Sequence, residues 1–449
     1  MKSSIFATLL ALIWPKLGLF IQEKINGSKK KLTYLHKERL EKVYSPDGKW
    51  ESSSANTRRV AADMVALDSP LPLKKRSSIS NSNGNLPKIG MKTNMKESEI
   101  NAIDMMQAQL NQLEEGSARY KQKRKQILTK LANDGEACSV GIDERNEYNY
   151  LMGISEGVVL IPADDEDKEN TGLGLRVNYG YNASNIFGVN DPDDITGDDI
   201  ENVFSRADAN GDTPAVAMIS KSLLSKIKKS RWARKLAADY KEQVYTDENK
   251  LPVPTTKTFL EAFESEYGCP LMVIDRTVLT EKNGQDKPAK PFNQNRIIFL
   301  PDAETDGSLV YGTLAEANHP VEGVEYSTVD DYKLISRYRV TDPSFAEVTK
   351  GQALVLPVIE NVDSIYVLDC SKSIELDSSD ADEEGGKDEK ITIKGQQYKK
   401  AEVVKVLNEM GVSVKESNAD STIIRAINKL SDDEETAFLA AIAEHKYSA

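Results

Sequence analysis

The sequence is poor in the residues that build metal sites, disulfide frameworks and many catalytic centres. Only three cysteines and three histidines occur in 449 residues. The cysteines, Cys138, Cys269 and Cys370, are odd in number and far apart, which excludes a disulfide framework and a Cys-x-x-Cys metal knuckle. The histidines are equally scattered, so few residues are available as a general base. We therefore expect no metal, no cofactor and no enzyme activity.

The sequence also lacks long apolar runs and internal repeats. The apolar run from Ile5 to Trp14 is shorter than the ~20 residues that a membrane-spanning helix needs. It resembles the start of an export signal, but no small-x-small cleavage site follows it. The second interpretation, which we favour, is an amphipathic arm that docks on a partner, with Ile5, Leu9, Ile13 and Leu17 on one helical face.

Charge is divided unequally along the chain. Residues 1–95 contain 17 Lys and Arg against 7 Asp and Glu, although the whole chain has a net charge of −13. Residues 96–449 therefore carry 41 basic and 64 acidic side chains, a net charge of −23. This asymmetry indicates a basic N-terminal part that meets nucleic acid, an anionic membrane or the acidic body of another copy.

The segment from Arg58 to Lys96 predicts a long hairpin with a polar tip at 77–85. It contains too few large apolar residues for a core of its own, so it becomes ordered only against another surface. From Ser98 to Leu131 apolar residues recur every three or four positions, which predicts one long helix interrupted only by Gly116. Basic residues in the second half of this predicted helix suit the helix dipole.

The remaining body predicts an α+β fold in which short strands alternate with helices. Helices are predicted over 218–240 and 258–266, and 353–359 and 364–368 are predicted to close the body as a strand pair. One of these helices is basic and carries Lys228, Lys229 and Arg231, whereas the loop at 191–201 is acidic and carries Asp193, Asp194 and Asp198. Both are interpreted as solvated faces or, if the chain assembles, as contacts between neighbouring copies in a ring.

The composition changes sharply after residue 370. Residues 371–390 contain eight acidic residues and three lysines with almost no apolar side chains, which is typical of a solvated linker. Beyond it, residues 391–449 predict a strand-like start and three short helices. This appended module is small enough to be only marginally stable alone.

The residues Gly153-Ile154-Ser155-Glu156-Gly157 match the Gly-x-Ser-x-Gly pattern of a hydrolase nucleophile. That pattern requires a strand before the serine and a helix after it, whereas here a helix-like segment precedes it and the apolar run 158–161 follows. We interpret the motif as a turn into a strand, and an enzyme that uses Ser155 is the third hypothesis.

Several segments resemble the tailed-phage major capsid proteins of the Hong Kong 97 type, lambda-like members in particular. They are 62–73 (ADMVALDSPLPL), 299–302 (FLPD), 307–312 (GSLVYG), 341–343 (TDP) and 353–365 (ALVLPVIENVDSI). The order of a basic arm, a hairpin, a long helix and an α+β body is also similar to that family. The resemblance covers about residues 55–370 and includes no catalytic signature.

The resemblance implies seven parts of the chain. They are an N-terminal arm (1–55), an extended loop (56–97), a spine helix with the peripheral domain (98–189), an axial domain (190–352), return strands of the peripheral domain (353–370), an acidic linker (371–390) and a mainly helical C-terminal module (391–449).

The resemblance also implies a function, namely a non-enzymatic subunit of the hexamers and pentamers of an icosahedral shell that encloses double-stranded DNA. The expected partners are other copies of the chain, scaffolding, portal and decoration proteins, and the DNA through weak contacts, with no membrane. The expected location is the virion, and the host cytoplasm during assembly. The alternative is an exported or membrane-anchored binding protein.

Interface residues are implied by the same resemblance. The arm and extended loop would contact neighbouring subunits through Arg58, Arg59, Lys74, Lys75, Arg76, Lys88 and Lys92. Ring contacts of the axial domain would involve Asp193, Asp194 and Asp198 with Lys228, Lys229 and Arg231.

Overall fold

The computed structural model describes residues 3–19, 21, 33–55, 79–161, 175–192, 194–242, 251–282, 285–342, 344–373, 390–393, 396–410, 438 and 441–442. The chain divides into two compact units, Met1–Ser373 and Ile374–Ala449.

Helices and strands alternate through the first unit. Its helices are α1 (Ala7–Ile13), α2 (Leu35–Arg39), α3 (Glu97–Asn111), α4 (Ala118–Glu156), α5 (Gly197–Asn210), α6 (Lys221–Ile227), α7 (Arg231–Tyr240), α8 (Thr256–Tyr267) and α9 (Ala315–Asn318). Its strands are β1 (Leu40–Tyr44), β2 (Lys49–Ala55), β3 (Ile79–Asn85), β4 (Lys88–Lys96), β5 (Val158–Ile161), β6 (Leu175–Asn178), β7 (Ile186–Val189), β8 (Val216–Ser220), β9 (Leu271–Ile274), β10 (Val278–Lys282), β11 (Gln285–Ala289), β12 (Arg296–Leu300), β13 (Gly307–Gly312), β14 (Glu325–Val329), β15 (Lys333–Val340), β16 (Ala346–Ile359) and β17 (Tyr366–Ser373).

A six-stranded sheet is built around β16. The order is β1-β13-β16-β15-β14, and β4 pairs with β16 as well. Because β16 is 14 residues long, its first half pairs with both β15 and β4 while its second half pairs with β13. All these pairs are antiparallel except β1 with β13.

The long helix α4 lies against this sheet. With 39 residues it extends about 58 Å, at 1.5 Å per residue. At Gly351 of β16 a Cβ atom would lie only 2.6 Å from the Cβ of Cys138, so the helix approaches the strand closely because glycine stands there. Helix and sheet bury Ile142, Leu151 and Val355 in the main hydrophobic core.

A five-stranded sheet forms the second layer, in the order β7-β17-β12-β8-β9. One of its faces shares the main core through Met218, Ile298 and Val367. The other face is covered by α5, α6 and α8, which contribute Val203 and Phe259 to a separate apolar cluster.

Three two-stranded ribbons accompany the sheets: β2 with β3, β5 with β6, and β10 with β11. In the second unit, strands β18 (Lys390–Ile393) and β19 (Gln396–Lys399) pair antiparallel and precede helix α10 (Lys400–Glu409). The predicted strand at 391–393 and the first predicted helix of the C-terminal module are therefore confirmed. The two later predicted helices lie largely outside the described residues.

The N-terminal arm packs on its own chain. Phe6, Leu10, Trp14 and Leu17 are buried in a cluster with residues of α3 and α4, and Gly135 of α4 leaves room for Leu17. The apolar face predicted from the sequence was wrong in part, because Ile5 is 38% exposed while Phe6 and Leu10 point inward.

The single long helix predicted from Ser98 to Leu131, interrupted only by Gly116, is two separate helices in the structure. Helix α3 ends at Asn111, and α4 begins after Ser117, whose side chain accepts a hydrogen bond from the backbone N–H of Tyr120. Between them Gly116 has φ +87°, a left-handed conformation that glycine adopts without steric cost. Helix α4 then continues far beyond the predicted end, to Glu156.

Other local predictions also need correction. Residues 218–240 are not one helix, since 216–220 form the buried strand β8 and the helices α6 and α7 follow. The acidic loop predicted at 191–201 contains the start of α5. The predicted closing pair does not form: β16 and β17 belong to different sheets. The predicted polar tip at 77–85 contains β3, which pairs with β2.

Several predictions are confirmed. The α+β class holds, the helix predicted over 258–266 is observed as Thr256–Tyr267, and the apolar run 158–161 forms strand β5. The three cysteines are free and buried. Burial raises the pKa of Cys138 to about 11, and burial raises the pKa of Cys269 and Cys370 to about 12.

Replacing Leu10 with alanine should loosen the arm, because Leu10 is fully buried. Truncation of a buried leucine costs about 2–5 kcal/mol. The matched control is Leu12→Ala, since Leu12 is 53% exposed and its loss should change stability by less than about 0.5 kcal/mol. Hydrogen exchange of the amides in α1 reports the difference, and equal exchange in the two variants would show that the arm does not pack as described.

Candidate subunit interface

Strand β4 carries a row of exposed lysines. Side chains alternate between the two faces of a strand, and Met91 lies against Gly141 of α4. Lys88, Lys92 and Lys96 therefore point away from α4, and all three are exposed. Among the described residues, none of these lysines has an ion-pair partner. We call Lys88, Lys92 and Lys96 the lysine row.

The position of the lysine row destabilises the pairing of β4 with β16. Lys92 lies directly opposite Lys350 of β16, and like charges in that position destabilise a strand pair. Lys350 is neutralised by Glu316 of α9, with an Nζ–Oε2 distance of 2.8 Å. Lys92 is left with its charge facing solvent, so it is available to an acidic partner.

The structure describes only some of the residues predicted at the interface. Lys88 and Lys92 lie in the lysine row, whereas Arg58, Arg59, Lys74, Lys75, Arg76 and Asp193 lie outside the described residues. These positions stay predictions.

The predicted ring residues lie on α5, α6 and α7 or next to them. Asp194 and Asp198 are exposed at the start of α5, and Lys229 is exposed after α6. Lys228 donates a hydrogen bond to Thr256 Oγ1 at 2.9 Å, and Arg231 begins α7. Within one chain the acidic and basic segments already touch, because Lys226 Nζ donates to the carbonyl oxygen of Pro192 at 2.7 Å.

A buried anchor that the sequence analysis missed holds α2 on α4. His36 is fully buried, and its Nδ1 lies 2.7 Å from Glu147 Oε2. The same carboxylate accepts hydrogen bonds from the backbone N–H groups of Leu35 and His36. One glutamate therefore satisfies the free N–H groups at the start of α2 and fixes the chain just before β1.

Next to this anchor lies a network of charges centred on two buried groups, Lys333 and Asp143. Lys333 is fully buried, and its Nζ lies 2.6 Å from Asp143 and 2.7 Å from Asp330. Lys37 reaches the same two carboxylates at 2.8 and 3.1 Å. Asp330 has φ 54° and the following Asp331 has φ 74°, so the β14–β15 turn adopts a strained conformation that aims the Asp330 carboxylate into the network.

A second anchor joins the end of α2 to the loop before β13. Arg39 donates to both carboxylate oxygens of Asp306 at 2.6 and 2.7 Å, and Tyr150 of α4 donates to the same carboxylate. Such a bidentate pair fixes geometry as well as contributing energy. Each anchor joins two residues more than 100 positions apart, so neither forms a local pattern that the sequence could reveal.

Ser155 is not placed as a nucleophile. It lies within the last turn of α4, fully buried, and its Oγ donates to Leu151 O and accepts from the Asn293 N–H. The expected turn is limited to Gly157, which ends the helix with φ 70°. In the described part of the chain no cluster of His, Cys, Asp and Glu suits a metal ion. No described helix has the length and apolar character to cross a bilayer.

The network predicts a specific response to acid. Burial alone would raise the pKa of Asp330, but the charges of Lys333 and Lys37 outweigh it and hold that pKa below its ordinary value. The ordinary value in an unfolded chain is about 3.9. The stability that Asp330 contributes is therefore complete above the unfolded pKa and is lost as the pH falls toward the folded pKa.

Replacing Asp330 with asparagine should lower the free energy of unfolding at pH 7 by about 1.5–3 kcal/mol, the usual range for a hydrogen bond to a charged group. The deficit relative to wild type should shrink as the pH falls below about 4. Asparagine tolerates the left-handed backbone of the turn. Urea unfolding at several pH values measures both effects.

Asp331→Asn is the matched control, since its 69% exposed carboxylate pairs with the exposed Lys42. Such a surface pair contributes little. A deficit of equal size and equal pH dependence in the two variants would contradict the role assigned to Asp330.

Comparison with known proteins identifies the family. The family model described as phage major capsid protein E matches residues 25–366, well over half of the chain. No curated protein matches the chain.

Among solved structures, the chain is similar to a prophage protein of E. coli CFT073 described as a capsid protein. The two share 12% identity and a TM-score of 0.40, over 65% of this chain and 79% of that one. It is also similar to the capsid protein of cyanophage A-1(L), with 12% identity and a TM-score of 0.38, over 77% of this chain and 95% of that one. The family assignment depends on the family match and not on these distant likenesses.

The family match agrees with the architecture, in which a long helix lies on one sheet and a second, helix-covered sheet completes the body. The Hong Kong 97-type fold expected from the sequence is thereby confirmed, and the capsid interpretation prevails over an exported binding protein. The chain belongs to the phage major capsid protein E family and is a structural protein of a bacteriophage virion rather than an enzyme.

Proposed function

We propose that copies of this chain assemble as hexamers and pentamers of an icosahedral shell around double-stranded DNA. Assembly would take place in the host cytoplasm, with scaffolding, portal and decoration proteins as partners. The family supports self-association, and the observation that carries the finer proposal is the lysine row of β4. Among the described strands, β4 has a partner on one side only, so it presents an open edge together with three unpaired charges.

An open strand edge with lysines serves two purposes in proteins. Lysines at an edge oppose uncontrolled strand pairing, and they also offer a surface to acidic partners. The body of the chain supplies such a partner, because residues 96–449 carry a net charge of −23. Complementary charge of this kind fixes the register of an interface and suppresses wrong contacts.

The paired ribbons support the same proposal. An isolated two-stranded ribbon is marginal in water, and β10–β11 leaves Leu279 63% exposed. Burial of such ribbons across neighbouring copies would contribute to the large interfaces typical of permanent assemblies. An exposed apolar side chain on a ribbon then becomes part of a contact.

The domain boundaries inferred from the sequence stay part of the proposal, from the arm at 1–55 to the C-terminal module at 391–449. Strand pairing adds one detail: β13, β14 and β15, from the segment assigned to the axial domain, join the sheet under α4. In the proposed ring of axial domains, Asp194 and Asp198 of one copy would contact Lys229 and Arg231 of the next copy. Asp193 and Lys228 are adjacent in sequence to these residues.

Replacing Lys88 and Lys92 with glutamate should abolish or strongly reduce closed particles. The subunit itself should stay folded, because the Lys92→Glu substitution would put a carboxylate opposite Lys350 and so remove a like-charge contact. Negative-stain microscopy of the overexpressed protein measures particle yield, and circular dichroism checks folding.

The control exchanges two other exposed lysines for glutamate, Lys125 and Lys130 of α4, which lie on the opposite side of the sheet. Particle yield at the wild-type level from the Lys88→Glu, Lys92→Glu variant would remove the lysine row from the interface. Absence of particles from the wild-type chain, with and without a co-expressed scaffold, would count against shell formation as a whole.

A further inference from the structure

The N-terminal third of α4 carries a dense group of cations that the interface does not use. Between Gly116 and Asn133 the chain has six basic residues and no acidic one. The basic residues are Arg119, Lys121, Lys123, Arg124, Lys125 and Lys130. We call them the α4 cation group.

The α4 cation group faces solvent. Arg119, Lys121, Lys125 and Lys130 are exposed, whereas Ile127 and Leu131 on the opposite side of the helix are fully buried. Within the described ranges of the chain, no carboxylate forms an ion pair with any of the six cations. Their charge is therefore directed outward over about 17 Å of helix, from Arg119 to Lys130.

Helix stability does not explain these residues. The N-terminal end of a helix is the positive end of its dipole, and a cation in the first turn weakens the helix by about 0.3–1 kcal/mol. Arg119 and Lys121 occupy that first turn, since α4 begins at Ala118. Lys121 and Lys125 are also like charges one turn apart, which is unfavourable. A binding role accounts for a group that the fold alone disfavours.

The two basic surfaces lie on opposite sides of the six-stranded sheet. The lysine row points away from α4, while the α4 cation group belongs to the helix that covers the other face. The sheet and α4 form a layer with two sides. In a shell, the side that contacts neighbouring copies and the side that faces the enclosed DNA can be different. The separation of the two groups fits two different partners.

Duplex DNA matches the dimensions of the α4 cation group. It carries one phosphate charge per ~1.7 Å of its axis, which gives roughly ten phosphates along the ~17 Å that the group spans. The cations flank the buried stripe on both sides, so their long side chains cover a half-cylinder rather than a single line. Such a spread suits the two backbones of a duplex better than one acidic helix.

We propose that the α4 cation group binds phosphates of double-stranded DNA, and that the α4 side of the sheet faces the interior of the shell. The second statement rests on the proposed function, whereas the first is a property of the subunit. Binding through phosphates is independent of base sequence and strongly dependent on salt.

The test compares two variants of the full chain that lose three positive charges each. One is Lys121→Gln, Lys125→Gln, Lys130→Gln, and the control is Lys88→Gln, Lys92→Gln, Lys96→Gln. Glutamine is a good helix former and relieves the unfavourable charges in the first turn, so the α4 variant should melt at or above the wild-type temperature with an unchanged circular dichroism spectrum. Fluorescence anisotropy with a duplex of about 30 base pairs, roughly 100 Å long at 3.4 Å per pair, measures affinity over a series of salt concentrations.

The α4 variant should lose about tenfold or more in affinity at about 0.1 M salt, and the slope of log K against log salt should fall by about 2–3. The control variant should keep the wild-type slope. An unchanged slope in the α4 variant, or an equal fall in both variants, overturns the proposal.

Two further measurements separate the alternatives. If polyglutamate competes for the α4 cation group better than the duplex does, the partner is an acidic protein and the DNA proposal is wrong.

Particle yield of the α4 variant should equal that of wild type. A loss of particles with DNA affinity unchanged would place the group in the subunit interface, whereas a wild-type chain that binds DNA but forms no particles would contradict the proposed function alone.

Discussion

The close approach of α4 to β16 is the constraint on which the rest of the body depends. Cys138 lies against Gly351 so tightly that a side chain at that position would collide with the helix. Because α4 is held at this distance, one side of the helix packs on the six-stranded sheet. Other residues of α4 contact the arm, α2 and α3. A single rigid helix thus organises elements that are far apart in the sequence.

Charge is used in two ways around that helix. Deep in the structure, the buried Lys333 and Asp143 are paired at a short distance, with the partly buried Asp330 beside them. Burying the first two charges is tolerable only because each has a partner. At the surface, the lysine row and the α4 cation group lack such partners among the described residues. The first arrangement gives the subunit a defined shape, and the second leaves positive charge exposed to solvent, where we propose that anionic partners bind.

Much of the architecture could be predicted from the sequence because it depends on local patterns. The apolar run at 158–161 identifies strand β5, and the helix predicted over 258–266 corresponds to α8. The pairing of distant strands could not be predicted. No local sequence pattern in β16 or β17 shows that β16 pairs with β4 while β17 joins another sheet. The break at Gly116 was visible, but its conformation depends on how α3 folds back on α4.

The candidate interface was predictable to a smaller degree. Lys88 and Lys92 are recognisable as part of a basic segment, but their shared face follows only from the register of β4 with β16. The anchors at His36 and Arg39 were missed because each joins residues more than 100 positions apart. An isolated histidine does not reveal in the sequence that its ring will be enclosed beside a glutamate.

The enclosure of all three cysteines has a consequence for a particle that leaves its host. Their thiols are shielded and stay protonated at neutral pH, because burial raises the pKa of each well above its ordinary value. The thiolate is the reactive form, so neither oxygen outside the cell nor glutathione inside it reacts readily with the folded subunit. Passage between reducing and oxidising surroundings should leave the coat chemically unaltered.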